Sequence, residues 1–337
     1  MTPTDAPRFS VIVPVYNRVG EVRDLLESLA AQASPLFEVI IVEDGSTEPC
    51  SEVVEAYADR LDVRYFYKDN EGRSIARNHG IERSRGEWLV FFDSDCVIPD
   101  GYFDTLSREL DAAPCDCYGG PDAAHSSFSS TQKAINYAMT SFLTTGGIRG
   151  GKVSLEKFVP RTFNMGFRRA VYDRVGGFRE MFSEDIDMST RISRAGFVTR
   201  LIRQAPVYHK RRVDFRKFLR QVYVFGQSRI TLQQLYPGSM KLVHMLPAIA
   251  VVIGAVLLVC GIFVSPWFLL PLGIYLLAIF VSALVSARSA VIALKAVPAS
   301  VIQICGYGCG FIRAFVPQIL LRRGRDVERE VAVRRGR

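Results

Sequence analysis

Short apolar runs alternate with amphipathic stretches along the N-terminal part of the chain. The apolar runs are rich in β-branched and aromatic residues and predict buried strands at residues 9–15, 38–42, 63–67 and 88–92. Apolar residues at helical spacing between them predict helices at residues 21–31, 53–61 and 74–83. This alternation is typical of an α/β fold with a parallel sheet covered on both faces. Ligands of such sheets bind beyond the carboxyl ends of the strands.

The C-terminal part has a different pattern. Residues 242–287 contain no Asp, Glu, Lys or Arg and are interrupted by a Ser-Pro pair, which leaves two spans at 242–264 and 267–287. Each span is long enough to cross a bilayer core of about 30 Å. Residues 297–321 are also apolar but hold Gln303, Arg313, Pro317 and three glycines. We expect a re-entrant or interfacial helix there, with a third full span as the alternative, because a third crossing would move the basic tail outside.

Charge divides the chain into an acidic head and a basic region that flanks the apolar spans. The net charge of the chain is +8, but residues 1–202 carry −7, residues 203–241 carry +8 and residues 322–337 carry +4. This distribution argues against a nucleic-acid partner and favours binding to an anionic membrane. We expect a multi-pass protein of the inner (cytoplasmic) membrane with its head in the cytosol. The chain has seven cysteines, and this odd number does not indicate a disulfide framework, which fits a reducing cytosol.

A basic amphipathic helix is predicted just before the first span. At residues 215–225 the apolar side chains share one face and the basic ones lie elsewhere. Such a helix is suited to lie on an anionic leaflet, although it could instead pack on the sheet of the head. The predicted organisation is a catalytic head at 1–212, an interfacial segment at 213–240, a membrane region at 241–321 and a basic cytosolic tail at 322–337.

Acidic side chains follow two of the predicted strands. Asp93 and Asp95 come directly after the fourth strand, and two carboxylates at this spacing can face one Mg²⁺ or Mn²⁺ ion. Glu43 and Asp44 end the second strand, where a carboxylate can accept hydrogen bonds from a ribose or a base. Each pair could also be an ordinary turn, since Asp is common there. Arg77, on the first turns of the third predicted helix, could meet a diphosphate or form a structural salt bridge.

A second acidic cluster lies about ninety residues further along. Glu184 and Asp185 precede an amphipathic helix, and a carboxylate there could take a proton from an attacking hydroxyl if the fold brings it near the metal. The alternative is helix capping. His209 follows a short apolar stretch and could complete a metal site begun by Asp95, although a lone histidine is more often structural.

Read together, these motifs resemble the family 2 glycosyltransferases, which have a GT-A fold, Rossmann-like with a mostly parallel sheet. The resemblance covers roughly residues 8–230 and is carried by segments in a fixed order: VPVYNR at 13–18, VEDGST at 42–47, GRSIARN at 72–78, FDSD at 92–95, FNMGF at 163–167, GGF at 176–178 and EDID at 184–187. It implies a nucleotide-sugar donor and an Mg²⁺ or Mn²⁺ cofactor.

The resemblance also implies roles for individual residues. The catalytic base would be Asp185, with Glu184 as the substitute, and the metal would be held by Asp95, with His209 and Asp93. Substrate-binding positions are implied for ten side chains: Pro14, Tyr16, Asn17, Arg18, Glu43, Asp44, Arg77, Asp93, Ser94 and Asn164. The resemblance favours a UDP-linked donor, but it does not identify the sugar, the exact acceptor or the oligomeric state.

Departures from the family pattern narrow the expected reaction. The Q-x-x-R-W motif of processive polymerases is absent, since residues 221–225 read QVYVF, so we expect transfer of a single sugar. The acceptor would be a hydroxyl of a membrane-associated, lipid-linked glycan, and transfer would invert the anomeric carbon. A polyprenyl-phosphate sugar synthase is the alternative within the family. A membrane-anchored nucleotidyltransferase and a non-catalytic lipid-binding scaffold are alternatives from other classes; the first usually needs a glycine-rich phosphate loop, and the second predicts broken acidic motifs.

Overall fold

A computed structural model describes residues 6–33, 36–123, 128–146, 158–210 and 214–321. The chain forms two compact units, one made of residues 1–125 and 158–210 and the other of residues 126–157 and 211–337. The predicted basic tail, residues 322–337, lies outside the described residues.

The first unit is an α/β domain. Its strands are β1 (Phe9–Val15), β2 (Phe37–Asp44), β3 (Val63–Lys68), β4 (Trp88–Phe91), β5 (Cys96–Val97), β6 (Cys117–Gly119), β7 (Asp122–Ala123), β8 (Met165–Arg168), β9 (Thr199–Leu201) and β10 (Val207–His209). Its helices are α1 (Val19–Ala30), α2 (Ser51–Glu55), α3 (Arg73–Arg83), α4 (Tyr102–Ala112), α7 (Arg169–Val175) and α8 (Glu184–Arg194). The remaining helices belong to the second unit.

The main sheet has seven strands in the order β3-β2-β1-β4-β8-β6-β9. Strands β3, β2, β1 and β4 are parallel, whereas β8 is antiparallel to both of its neighbours. Successive residues of β1 face opposite sides of the sheet: Val11 and Val13 lie in one buried cluster, and Ile12 lies in the other. The prediction of a mostly parallel sheet covered on both faces is therefore confirmed.

A second, three-stranded sheet has the order β5-β10-β7. Strand β10 is antiparallel to β5, where His209 pairs with Cys96, and parallel to β7, where Val207 pairs with Asp122. These strands are two or three residues long, which is too short for a period-two pattern, so the sequence analysis did not predict them. The small sheet brings the end of the head next to the strand that follows Asp95.

The second unit is helical. Its helices are α5 (Ser130–Thr140), α6 (Phe142–Thr145), α9 (Phe215–Leu235), α10 (Leu242–Phe263), α11 (Leu270–Ala287) and α12 (Ala290–Phe315). A 3₁₀ turn at Pro266–Leu269 precedes α11, and a π turn at Val316–Leu320 follows α12. Three stretches are long and apolar enough to cross a membrane: Leu242–Phe263, Pro266–Ala287 and Ala290–Leu320.

Residues 297–321, where we expected a re-entrant or interfacial helix or a third span, belong to α12, which is one unbroken helix that begins at Ala290. The stretch Ala290–Leu320 is long and apolar enough for a third span. The glycines of α12 allow close helix contacts. A Cβ on Gly310 would lie 2.0 Å from the carbonyl oxygen of Tyr223 in α9, and one on Gly308 would lie 2.6 Å from that of Pro247 in α10. Small residues at such positions let helix backbones approach closely.

The apolar face of α9 also differs from its prediction. Phe218 and Val222, which we expected to face the lipid surface or the sheet of the head, are buried with Ile135 of α5 and Ala299 of α12. Leu219 remains 44% exposed. The sequence pattern identifies the apolar face, but it does not show that other helices of the same unit cover most of it.

Candidate active site

The loops that follow β1 and β2 are joined through Asn17. Its backbone is in the left-handed region with φ +52°, a conformation that Asn tolerates better than most residues. Its side-chain oxygen accepts hydrogen bonds from the backbone N–H groups of Thr47 and Glu48, at 2.9 and 3.3 Å. Tyr16 beside it is 51% exposed. Pro14 is half-buried, and Arg18 forms an ion pair with Glu21. This strand-end surface is open to a ligand.

The two acidic residues at the end of β2 are both buried and bonded. One Glu43 oxygen accepts from the Ser46 hydroxyl, and the other accepts from the Cys50 N–H at 2.8 Å and the Tyr65 hydroxyl at 3.3 Å. Burial, together with Glu43, raises the pKa of the Cys50 thiol. Glu43 therefore stabilises the turn that follows β2 and the start of α2.

Asp44 fixes the loop that leads into α3. Its oxygens accept from the backbone N–H groups of Glu71 and Gly72, at 3.0 and 2.8 Å, and it pairs with Lys68 at 2.9 Å. Gly72 has φ +96°, a conformation that other residues rarely adopt. Asp44 therefore positions the first turn of α3.

Arg77 of α3 connects the two acidic clusters. Its guanidinium is 1% exposed and donates to Asp93 Oδ1 at 2.7 Å and to Glu184 Oε1 at 2.8 Å, and it lies over the ring of Phe178. Arg73, one turn earlier, binds the other oxygen of Glu184 at 2.8 Å. Arg77 therefore links the start of α8 to the acidic end of β4.

The acidic residues at the start of α8 have different surroundings. Ser183 precedes them with φ +66°, an unusual conformation for a residue other than glycine, and it sets the direction in which the helix begins. Glu184 is 2% exposed and is neutralised by two arginines. Asp185 is 19% exposed, and its nearest cation is Arg161 at 3.5 Å. Asp185 is therefore the more available carboxylate of the two.

A cluster of carboxylates surrounds His209 at the end of β10. Its Nε2 lies 3.1 Å from Asp95 Oδ1 and 3.9 Å from Asp93 Oδ2, and its ring stacks on Phe163. Burial would lower the pKa of His209, but the charges of Asp95 and Asp122 outweigh it and raise this pKa to about 10. The pairing of His209 with Cys96 in the small sheet explains how a residue more than a hundred positions away reaches Asp95.

Asp122 is a member of this cluster that the sequence analysis missed. Its side chain is buried, and Oδ2 lies 3.8 Å from Nδ1 of His209, on the opposite side of the ring from Asp95. A carboxylate at the second ring nitrogen is the arrangement that orients histidines which bind metals. No sequence signal marked Asp122, because it lies in a two-residue strand within a glycine- and alanine-rich stretch.

The donor atoms of this cluster fit a divalent cation. Asp95, Cys96 and His209 offer ligand atoms within 4.8 Å of one another. Carboxylate oxygens with one imidazole nitrogen suit Mn²⁺ well and Mg²⁺ through the carboxylates. The Cys96 thiol donates a hydrogen bond to the carbonyl of Phe163 at 3.5 Å. Burial, with the charges of Asp95 and Asp93, raises the pKa of this thiol, so it remains neutral. Asp95 and His209, supported by Asp93, are the fitting ligands.

Asn164 and Ser94 are also buried in the domain, as are three other predicted substrate-binding residues, Glu43, Asp44 and Arg77. Asn164 is 0% exposed; its oxygen accepts from Tyr102 at 2.6 Å and its amide donates to the carbonyl of Ala205 at 2.8 Å. Ser94 is 9% exposed. Asn164 therefore ties neighbouring segments together and, as placed, does not present its amide at a surface.

Comparisons with known proteins find similarity to glycosyltransferases. Residues 10–176 match the model of Glycosyl transferase family 2. The chain is 44% identical over 88 residues to an uncharacterized glycosyltransferase of Rickettsia bellii. The aligned stretch is 26% of this chain and 13% of that protein. It is 36% identical over 115 residues to the uncharacterized glycosyltransferase YibD of Escherichia coli, covering 32% of this chain and 33% of that protein.

The fold is also similar to a solved structure. Mannosyltransferase PcManGT from Pyrobaculum calidifontis, determined in complex with GDP-Man and Mn²⁺, aligns with a TM-score of 0.56 and 20% identity, over 94% of this chain and 88% of that one. The matched stretch spans less than two thirds of each sequence relative, so those similarities concern one domain. The family match over residues 10–176 and the Rossmann-like GT-A fold together support a glycosyltransferase domain in this chain.

Proposed function

We propose that the protein transfers a single sugar from a nucleotide-diphosphate sugar to a hydroxyl of a membrane-associated, lipid-linked glycan, with inversion at the anomeric carbon. The observation that carries this proposal is the buried bridge of Arg77 between Asp93 and Glu184. It joins the acidic strand end to the helix whose first turn carries Asp185. This bridge supports the proposal that a cation site and a candidate base belong to one site.

The donor side of the reaction is assigned to the cluster around His209. Asp95 and His209, with Asp93, would hold Mg²⁺ or Mn²⁺, which when bound offsets charge on the diphosphate leaving group. The exposed strand-end residues Tyr16 and Asn17, with Pro14, Arg18 and Ser94, are proposed to contact the nucleotide-sugar. The resemblance favours UDP, whereas the solved mannosyltransferase holds GDP-Man, so the donor assay below includes both nucleotides.

The remaining predicted substrate contacts are reassigned to positioning roles. Glu43, Asp44 and Asn164 are buried and bonded to their own loops, so we propose that they shape the donor surface without touching the ligand. Arg77 is proposed to hold Asp93 and Glu184 in place and to add positive charge beside the diphosphate.

The acceptor side is assigned to Asp185. This carboxylate would take the proton of the acceptor hydroxyl, whose oxygen then forms a bond to the anomeric carbon while the bond from that carbon to the diphosphate breaks. Attack from the face opposite the leaving group inverts the configuration. Its greater exposure, and a weaker ion pair than that of Glu184, support Asp185 as the base.

Membrane association supports a lipid-linked acceptor. Three stretches of the second unit are long and apolar enough to cross a membrane. We propose that the protein is a multi-pass protein of the inner membrane, with its glycosyltransferase domain in the cytosol. A polyprenyl-phosphate acceptor is the alternative, and a phosphate nucleophile would need little help from Asp185.

The test is a donor assay on the full chain in detergent with Mn²⁺. A panel of UDP- and GDP-sugars is examined by thermal shift and by release of the nucleoside diphosphate. We expect one donor to stabilise the protein and to be hydrolysed slowly, and Asp95→Asn to lose the Mn²⁺-dependent part of both signals. Wild-type protein that is stabilised by no nucleotide-sugar would contradict the proposal.

A further inference from the structure

The segment formed by α5 and α6 follows α11 over much of its length. Ala134 is buried with Ala283 in one cluster. Further along, the hydroxyl of Tyr137 donates to the carbonyl of Ile279 at 3.4 Å, and the hydroxyl of Tyr275 donates to the carbonyl of Leu143 at 2.7 Å. Residues that lie later in the α5–α6 segment therefore contact positions on α11 that lie farther from the C-terminal end of that helix at Ala287.

These contacts place α6 beside the middle of a candidate membrane span. Tyr275 lies twelve residues before the end of the span Pro266–Ala287, which is about 18 Å at a rise of about 1.5 Å per residue. It lies nine residues after the start of that span, or about 14 Å. Since a bilayer core is about 30 Å thick, Tyr275 would be near its midplane whichever way α11 is oriented.

Side-chain hydroxyls near the turn between α5 and α6 donate hydrogen bonds to backbone carbonyls of the same segment. A segment within the bilayer core needs such internal partners. The last carbonyls of a helix normally lack partners. Here Thr144 donates to the carbonyl of Ala138 at 2.6 Å, and Thr145 donates to that of Met139 at 3.2 Å. Both threonine hydroxyls also reach the carbonyl of Ser141, at 3.1 Å.

The polar and apolar ends of the segment match this depth. At its start, the hydroxyls of Ser130 and Thr131 accept from the ammonium of Lys295, at 2.7 and 3.0 Å, near the end of α11 where charged residues begin. At its far end, Phe142 is 52% and Leu143 is 38% exposed. Two exposed apolar side chains beside the middle of an apolar helix are suited to contact hydrocarbon.

We propose that the α5–α6 segment, Ser130–Thr145, is embedded in the membrane alongside α11, and that Phe142 and Leu143 contact the hydrocarbon chains of lipids near the bilayer centre. The occupant of this surface is lipid, because the surface adjoins α11, whose Ile274, next to Tyr275, is 59% exposed. The inference rests on the membrane crossing of α11 that the proposed function includes. It adds that a segment between β7 and β8 of the glycosyltransferase fold enters the bilayer.

Tryptophan quenching by brominated lipids tests this proposal in the full chain. The chain has two tryptophans: Trp88, buried in the first unit, and Trp267, 77% exposed at the start of the span. In a Trp267→Phe background, Phe142→Trp is reconstituted into phosphatidylcholine vesicles brominated at carbons 6 and 7 or at carbons 11 and 12. We expect the deep bromines to quench the new fluorescence at least twofold more strongly than the shallow ones. Leu143→Trp provides a second reporter if Phe142→Trp does not fold.

Two control variants separate this proposal from its premise. Leu277→Trp on α11 should be quenched, and Val198→Trp, 57% exposed in the first unit, should not be. If Leu277→Trp is quenched while Phe142→Trp and Leu143→Trp behave like Val198→Trp, the embedded segment is refuted and the membrane span remains. If Leu277→Trp is not quenched either, the premise fails and the inference fails with it. Neither result affects the donor assay, which is read in detergent.

Discussion

Arg77 and Glu184 are 107 positions apart in the chain and form an ion pair in which Nη1 lies 2.8 Å from Oε1 and both side chains are at most 2% exposed. Buried ion pairs of this kind cost much desolvation and are not kept for stability alone. The same guanidinium binds Asp93, beside the candidate cation site. The pair therefore fixes the distance between the two ends of the candidate active site.

Breaking this bridge should destabilise the protein strongly. Arg77→Met removes the cation and leaves Glu184 buried with one partner, so we expect the free energy of unfolding to fall by about 3–5 kcal/mol. Arg60→Ala is the matched control, because it removes an arginine from the exposed pair with Glu27 and should change the melting temperature little. Equal losses from both variants in thermal unfolding would contradict the assignment.

Asp122 should govern the affinity of the cation site without contacting the cation. Asp122→Leu removes the carboxylate from Nδ1 of His209, and we expect Mn²⁺ binding to weaken about 10–100-fold. Asp122→Asn keeps an oxygen that can accept from Nδ1, so its loss should be smaller. Titration calorimetry on variants with matched melting temperatures measures both. Wild-type affinity in Asp122→Leu would show that this carboxylate does not orient the histidine.

Cation binding should release a proton from His209. Burial lowers its pKa, but Asp95 and Asp122 raise it more, to about 10, so the metal-free ring is protonated at neutral pH. A cation that binds Nε2 must displace this proton, and Mn²⁺ affinity should therefore increase as the pH rises from 7 toward 10. Calorimetry in two buffers of different ionisation enthalpy should give about one proton per Mn²⁺. His209→Gln should release none, and a wild-type protein that releases none would exclude His209 as a ligand.

The glycines of α12 should be sensitive to small increases in size. A Cβ on Gly310 would meet the carbonyl of Tyr223, whereas one on Gly273 of α11 has nothing within 4 Å. We expect Gly310→Ala to lower stability by about 1–3 kcal/mol through overpacking of α9 against α12, and Gly273→Ala to have little effect. Thermal unfolding in detergent compares the two, and an unchanged Gly310→Ala would contradict the close contact.

The parallel half of the main sheet could be predicted from the sequence because β1, β2 and β4 are buried on both faces. Residues 9–15 read FSVIVPV, an apolar run interrupted only by Ser10, and β1 has those bounds. The strands β5, β7 and β10 could not be predicted, since two or three residues have no readable period. Asp122 could not be predicted for the same reason, because its position beside His209 depends on the pairing of β10 with β7.

Periodicity also identified apolar faces without identifying what covers them. The face of α9 that includes Val222 was expected to lie on the lipid surface or on the sheet of the head, but helices of its own unit cover it. The sequence also did not show that the glycines near Gly308 lie at close helix contacts of α12. In the candidate site, the sequence identified Asp93, Asp95 and the α8 carboxylates by type. It could not show that Glu184 is bound by two arginines and Asp185 is more available.

The central claim is tested most directly by Asp185→Asn in the full chain, with the donor that the panel identifies and a hydroxyl acceptor. The account predicts that sugar transfer falls by at least 10²-fold. The affinities for donor and Mn²⁺ should remain within about twofold of wild type, since Asp185 is bound to neither Asp95 nor His209. Sugar transfer at the wild-type rate by Asp185→Asn would contradict the account.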